Sequence, residues 1–88
     1  MSVVLYTSAT CGYCVRAKRL LDSKSVVYQE ISVDRDPAMR SKMVELSQRR
    51  TVPQIFIGEH HVGGCDDLFA LEHSGDLDDM LRENNQSS

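Results

Sequence analysis

Read for its apolar and polar positions, the chain opens on Val3-Val4-Leu5-Tyr6-Thr7, a nearly continuous run of β-branched and aromatic residues. Such a strand is buried on both faces and belongs in the middle of a sheet. The period then changes. From Tyr13 to about Ser23 the apolar positions Cys14, Ala17, Leu20 and Leu21 recur at helical spacing, while Arg16, Lys18, Arg19 and Asp22 point elsewhere. Ser23-Lys24-Ser25 breaks this amphipathic helix, and Val26 to Val33 returns to partial alternation, predicting a second strand. Strand, helix, strand in that order implies a right-handed parallel unit.

In the second half, Asp36 is placed to cap a helix with Pro37 at its first position, where no amide donor is missed. Met39, Met43 and Leu46 repeat at i, i+4 and i+7 and are expected to pack inward, with Arg49 and Arg50 closing the helix. Thr51-Val52-Pro53 leads into the strand Gln54 to Ile57, and a proline there leaves the neighbouring backbone without a ladder partner, an edge free to bind. Gly58-Glu59 predicts a turn, His60-His61-Val62 a short returning strand, and Gly63-Gly64 a close backbone approach. Cys65-Asp66-Asp67 opens a third helix with Leu68, Phe69 and Leu71 facing the core, and Gly75 ends it. Asp76 to Arg82 reads as a last short helix using Leu77, Met80 and Leu81, with 83–88 a frayed polar tail.

Length and charge narrow the function. With 88 residues the chain makes one domain, 1–88, with a modest core. Its net charge of −3 and pI near 5.5 exclude the basic face a nucleic-acid binder needs. The chain opens on strand-like residues instead of a signal peptide, and no apolar run approaches membrane-spanning length, so a soluble, cytoplasmic protein is expected. Three cysteines with only two closely spaced do not form a secreted disulfide framework.

The chemistry is concentrated in Cys11-Gly12-Tyr13-Cys14, at the turn from first strand to first helix. A helix N-terminus carries unpaired amides and about half a positive charge, so a sulfur there is favoured as thiolate, and Arg16, Lys18 and Arg19 push the same way. Cys11 is the expected attacking thiol, and Cys14, one turn further in, the more buried resolving thiol. The same spacing could be half of a zinc site, but the other half is missing, because adjacent His60 and His61 point to opposite faces of a strand. Those histidines read as a solvated hairpin without a catalytic role. Cys65 reads as a small core residue, with glutathionylation or oxidation as the alternative. Asp66 and Asp67 read as helix caps that can also hold a ligand bearing a carboxylate and an ammonium group.

Together, Cys11-Gly12-Tyr13-Cys14, Thr51-Val52-Pro53-Gln54-Ile55-Phe56-Ile57 and Gly63-Gly64-Cys65-Asp66-Asp67 resemble the glutaredoxins, in particular the short bacterial dithiol group, over residues 3 to about 82. Thioredoxin is a worse match, since the chain has no Trp before its cysteine pair. The resemblance implies a thioredoxin-like α/β fold, a four-stranded mixed sheet ordered 2-1-3-4 with helices on both faces, and a cis Pro53. It further implies a monomeric glutathione-dependent oxidoreductase that reduces protein disulfides and glutathione mixed disulfides. Glutathione would be the co-substrate. Thr51, Val52 and Pro53 would pair with its extended backbone, Gly64, Cys65, Asp66 and Asp67 would hold its γ-glutamyl end, and Tyr13 and Arg40 would lie near its glycyl carboxylate. The chain departs from the family in two places. Ser8 stands where many members have lysine, and Gly12 replaces the proline of the commoner C-P-Y-C motif. Members with Gly or Ser at that position include some that bridge a [2Fe-2S] cluster between two protomers, which makes cluster carriage through Cys11 the alternative function.

Overall fold

A computed structural model describes residues 2–86, and the side chains of residues 2–83. Four strands and four helices follow in the order β1 (Val3–Thr7), α1 (Gly12–Ser23), β2 (Tyr28–Ser32), α2 (Pro37–Ser47), β3 (Gln54–Ile57), β4 (His60–Gly63), α3 (Cys65–Ser74) and α4 (Asp76–Gln86). The sheet runs β2-β1-β3-β4 and is mixed. β1 pairs β2 in parallel with Val3 opposite Tyr28, and β3 antiparallel with Val3 opposite Ile57. This is the order and architecture the resemblance implies.

Both faces of the sheet are covered, which is why β1 reads as continuously apolar. Successive side chains alternate between faces. Val3 and Leu5, with Ile55 and Ile57, pack against Ala17 and Leu21 of α1, Leu68 of α3 and Leu77 of α4. Tyr6 and the partly buried Val4 and Phe56 face Met43 of α2. Tyr6 and Phe56 meet edge to face at 5.9 Å. Removing a fully buried core side chain such as Leu5 costs about 2 to 5 kcal/mol, a large share of a small domain's stability.

Several expectations need correction. The second strand begins at Tyr28, because Ser25 takes φ 58° and the Val26 amide donates to Leu21 O at 3.1 Å, tying this segment to the end of α1. Val27 is left 91% exposed. In α2 the buried positions are Met43 and Ser47, while Leu46 is 50% exposed. The inward stripe steps by four at this end, and Ser47 tolerates burial because its hydroxyl donates to Met43 O at 2.7 Å. The helix ends there. Gln48 adopts the left-handed region at φ 61° and its amide donates to Val44 O, so Arg49 and Arg50 lie beyond the helix instead of closing it. β3 is an interior strand between β1 and β4, so the backbone free to bind is confined to the residues preceding it. α4 continues past Arg82 to Gln86, and the end of the expected frayed tail lies outside the described residues. Among the described residues no helix is long and apolar enough to cross a membrane.

Candidate functional site

The site is built where the C-terminal end of β1 meets the N-terminus of α1. Cys11 occupies the N-cap with extended backbone (φ −95°, ψ 114°), so the strand direction runs into the helix without a side-chain cap. The loop before it is pinned from β2. Asp34, just beyond that strand, accepts the Ser8 hydroxyl at 2.7 Å and the Ala9 amide at 2.8 Å, and these bonds hold its carboxyl below the usual range, the Ala9 amide contributing most. Ser8, where a lysine was missed, thus serves as a fastening point for the loop.

Cys11 and Cys14 lie 3.3 Å apart and differ in surroundings. Cys11 is half-buried, with Sγ 3.5 Å from Val52 O, whereas Cys14 is 1% exposed inside the first turn of α1. Burial pushes the Cys14 thiol up to about 11. The hydrogen bond and charge of neighbouring Cys11 add to that rise, and the Ser8 backbone and the Lys18 ammonium oppose it. One sulfur is therefore reachable and the other is stored as a thiol.

Beside Cys11 lies an open groove of about 300 Å³. Tyr13, Thr51, Val52 and Pro53 form one side, and Gly64, Cys65, Asp66 and Asp67 the other. The Val52–Pro53 peptide is cis, as the resemblance implied. Across the groove, Gly64 is the N-cap of α3, and its amide donates to Asp67 Oδ2 at 2.9 Å. Asp67 also accepts from Arg49 Nη1 at 3.0 Å, and its carboxyl is held below the ordinary range, first by the Gly64 amide and then by Arg49. The following amides of α3 have no intrahelical acceptor, so this end of the groove suits an anion. Cys65 itself is 5% exposed and belongs to the core cluster, and burial raises its thiol.

Of the residues the resemblance assigns to glutathione, Arg40 alone is missing from the groove lining. It shares a separate hollow along α2 with Arg50. Arg49 lines the groove instead, because α2 ends one residue before the turn at Gln48. His61 is no solvated hairpin residue. It stacks on Phe56 at 4.9 Å, its Nε2 lies 2.8 Å from Gln54 Oε1, and burial lowers its pKa. Gln54, Asp34 and Arg49 were also missed; the one available signal was an amide directly after Pro53, at a position where a strand should carry an apolar side chain. Among the described residues no group of three or more His, Cys, Asp or Glu could hold a metal ion.

Known proteins resemble this chain over most of its length. The family model for glutaredoxin matches residues 3–62. A glutaredoxin of Pseudomonas aeruginosa is 56% identical over 79 residues, spanning 90% of this chain and 94% of its own length. Glutaredoxin 3 of Escherichia coli K12 is 53% identical over 81 residues, spanning 92% and 98%. Among solved structures, a crystal structure of a buckwheat glutaredoxin–glutathione complex superposes with a TM-score of 0.87 at 36% identity, covering 94% of this chain and 78% of that one. With the sheet order and the paired thiols already in place, identity of this extent means that the chain belongs to the glutaredoxin family and that its chemistry is thiol redox chemistry.

Proposed function

We propose that this chain, read as one domain over 1–88, is a glutathione-dependent thiol–disulfide oxidoreductase of the cytoplasm. The observation that carries the reading is the reachable Cys11 sulfur beside a buried Cys14 whose thiol is pushed up, next to an open groove lined by Thr51, Val52 and Pro53 and by Gly64, Cys65, Asp66 and Asp67. The Cys11 thiolate attacks the glutathionyl sulfur of a mixed disulfide. The S–S bond breaks, the substrate sulfur leaves as thiolate and takes a proton, and glutathione remains on Cys11. A second glutathione thiolate attacks that glutathionyl sulfur, releasing glutathione disulfide and restoring Cys11. For a protein disulfide, the Cys11 thiolate attacks one substrate sulfur and releases the other as thiolate; Cys14 then loses its proton and attacks Cys11 Sγ, expelling the remaining substrate sulfur. The resulting Cys11–Cys14 disulfide is reduced by two glutathiones. Glutaredoxin couples lie at about −200 to −230 mV, within reach of a reducing glutathione pool.

In this reading the Val52 backbone pairs with the tripeptide as a short extra strand, flanked by Thr51 and Pro53. The α3 start, with Gly64, Cys65, Asp66 and Asp67, takes the γ-glutamyl end. The glycyl carboxylate falls to Tyr13 at the groove wall, with Arg40 on α2 supplying positive charge from the separate hollow it shares with Arg50. Support comes from the groove lining and from the glutathione complex of the buckwheat relative. Glutathione-dependent reduction of a small glutathione mixed disulfide is the test. Cys11→Ser should abolish turnover, and Cys14→Ser should retain it while losing protein-disulfide reduction. Retained turnover in Cys11→Ser would sink the assignment.

Cluster carriage is the second reading, favoured by the space at Gly12, where a Cβ would meet none of the described atoms within 4 Å. Among the described residues one cysteine sulfur, that of Cys11, is accessible, so a [2Fe-2S] cluster would be held by Cys11 from each of two protomers with glutathione completing the donors. Anaerobic reconstitution with iron, sulfide and glutathione should then give a coloured dimer, and a colourless monomer excludes it.

A further inference from the structure

The far side of the Thr51–Pro53 wall is held by a chain of side chains that the redox chemistry does not use. Gln54 is 0% exposed, at the first position of β3. Its Nε2 donates to Thr51 O at 3.0 Å and to Thr51 Oγ1 at 3.1 Å, so the carboxamide closes the bend of the chain around Pro53. Because the amide nitrogen is engaged there, the amide oxygen points the other way, to His61 Nε2 at 2.8 Å. Gln54 Oε1 only accepts, so the imidazole donates its Nε2–H. His61 in turn is fixed by stacking on Phe56. Among the described residues no buried side-chain nitrogen or oxygen is left without a partner, and His61 is what satisfies Oε1.

We propose that His61 is a positioning residue for the glutathione groove: it sets the orientation of the Gln54 carboxamide and thereby fixes Thr51 and Val52, whose carbonyl faces the Cys11 sulfur. Without the imidazole donor, the buried Gln54 oxygen has two outcomes. It stays unpaired, at the cost attached to a lone buried acceptor, or the carboxamide rotates its oxygen toward Thr51, which gives up the bond to Thr51 O and leaves only the Thr51 hydroxyl to donate. Either outcome loosens the wall that the tripeptide backbone pairs with. Neither moves Cys14, and Cys11 meets this wall only through its 3.5 Å contact with Val52 O, so the effect falls first on the binding of glutathione.

The inference rests on the groove being the glutathione site, and its test separates the two. His61→Phe keeps the stacking surface on Phe56 and removes the donor. It should raise the KM for glutathione about three- to tenfold while turnover at saturating glutathione changes by less than about twofold. His61→Gln, which returns an amide donor near the position of Nε2, should restore KM to within about twofold of the parent. In the glutathione-free protein, hydrogen exchange of the Gln54 side-chain amide should accelerate by the same order in His61→Phe and return in His61→Gln. A folded His61→Phe with unchanged KM and unchanged exchange overturns the proposal, as does a raised KM that His61→Gln does not restore. If the parent shows no glutathione turnover, the functional reading fails, and the exchange measurement still decides the role of His61. Should His61→Phe not fold, Gln54→Met removes the same carboxamide from the other end, and an unchanged KM there overturns the proposal.

Discussion

Two helices of this molecule begin with a cysteine next to a glycine, and only one of those cysteines is reachable. At α1 the order is Cys11-Gly12, and the sulfur sits at the N-cap, half-buried, facing Val52. At α3 the order is Gly64-Cys65, and the glycine takes the N-cap while the cysteine, one position inside, turns its sulfur into the core. Both termini present the same backbone dipole. A shift of one residue in register decides whether the sulfur lies over the groove or beneath it, and burial then raises the Cys65 thiol. The lesson is that a place at a helix N-terminus does not by itself make a sulfur available, because burial decides whether it can be reached.

The sharpest way to break the comparison is alkylation of the native protein. At pH 7, iodoacetamide should add once, at Cys11. A thiol pushed up to about 11 by burial leaves Cys14 only about one part in ten thousand as thiolate, and buried Cys65 is shielded from reagent. Cys11→Ser should therefore slow native alkylation by more than about a hundredfold. Mass spectrometry of the adducts reads this directly, and rapid native modification of Cys65 would erase the distinction drawn between the two helix starts.

The flanking glycines give the next largest contrast. Gly63 has φ 116°, and a Cβ there would overlap the Asp67 carboxylate that caps α3. Gly63→Ala is expected to destabilise by about 2 to 4 kcal/mol, summing the backbone strain and the displaced cap. Gly12→Ala at the other helix start meets open space and should stabilise by about 0.5 kcal/mol, since alanine loses less backbone freedom on folding. Urea midpoints of both variants check the pair, and a Gly12→Ala loss as large as that of Gly63→Ala would show that the two starts are equally constrained.

What the sequence disclosed follows the same division between local and distant causes. β1, α1, the Asp36 cap with its bond to Met39 at 3.1 Å, and the end of α3 at Gly75 are all set by residues within a turn of one another, and pattern was sufficient to find them. The cysteine pair was legible for that reason too. Leu46 and Ser47 were exchanged because which of two adjacent positions is buried depends on how α2 lies across Tyr6 and Val33, which periodicity does not contain. Arg49 entered the groove, and Arg40 stayed out, through a left-handed Gln48 with no glycine to announce it. His61 and Gln54 are seven residues apart on neighbouring strands, in a register shifted by a bulge between Ile55 and Phe56, so their contact had no sequence signature.

The smallest effect concerns the carboxylates that fasten the two starts. Asp34 accepts from Ala9 and Ser8 before α1, and Asp67 from Gly64 and Arg49 at α3, and both are held below the ordinary carboxylate range. A carboxylate with a lowered folded-state pKa stabilises the protein above its unfolded value near 4, and that contribution disappears as the pH falls through the folded value. For Asp67, whose side chain is 45% exposed, solvent screening limits the contribution to about 1 kcal/mol or less. Asp67→Asn leaves an oxygen for the Gly64 amide but no charge for Arg49. Its urea midpoint should fall below the parent's at pH 7, with the gap closing between about pH 5 and pH 2. Adding salt at pH 7 should shrink the same gap, because the Arg49 pair lies in solvent. A gap that persists unchanged into acid would mean that Asp67 stabilises α3 by shape and not by charge, and the dipole-facing start of α3 would then differ from that of α1 in more than register.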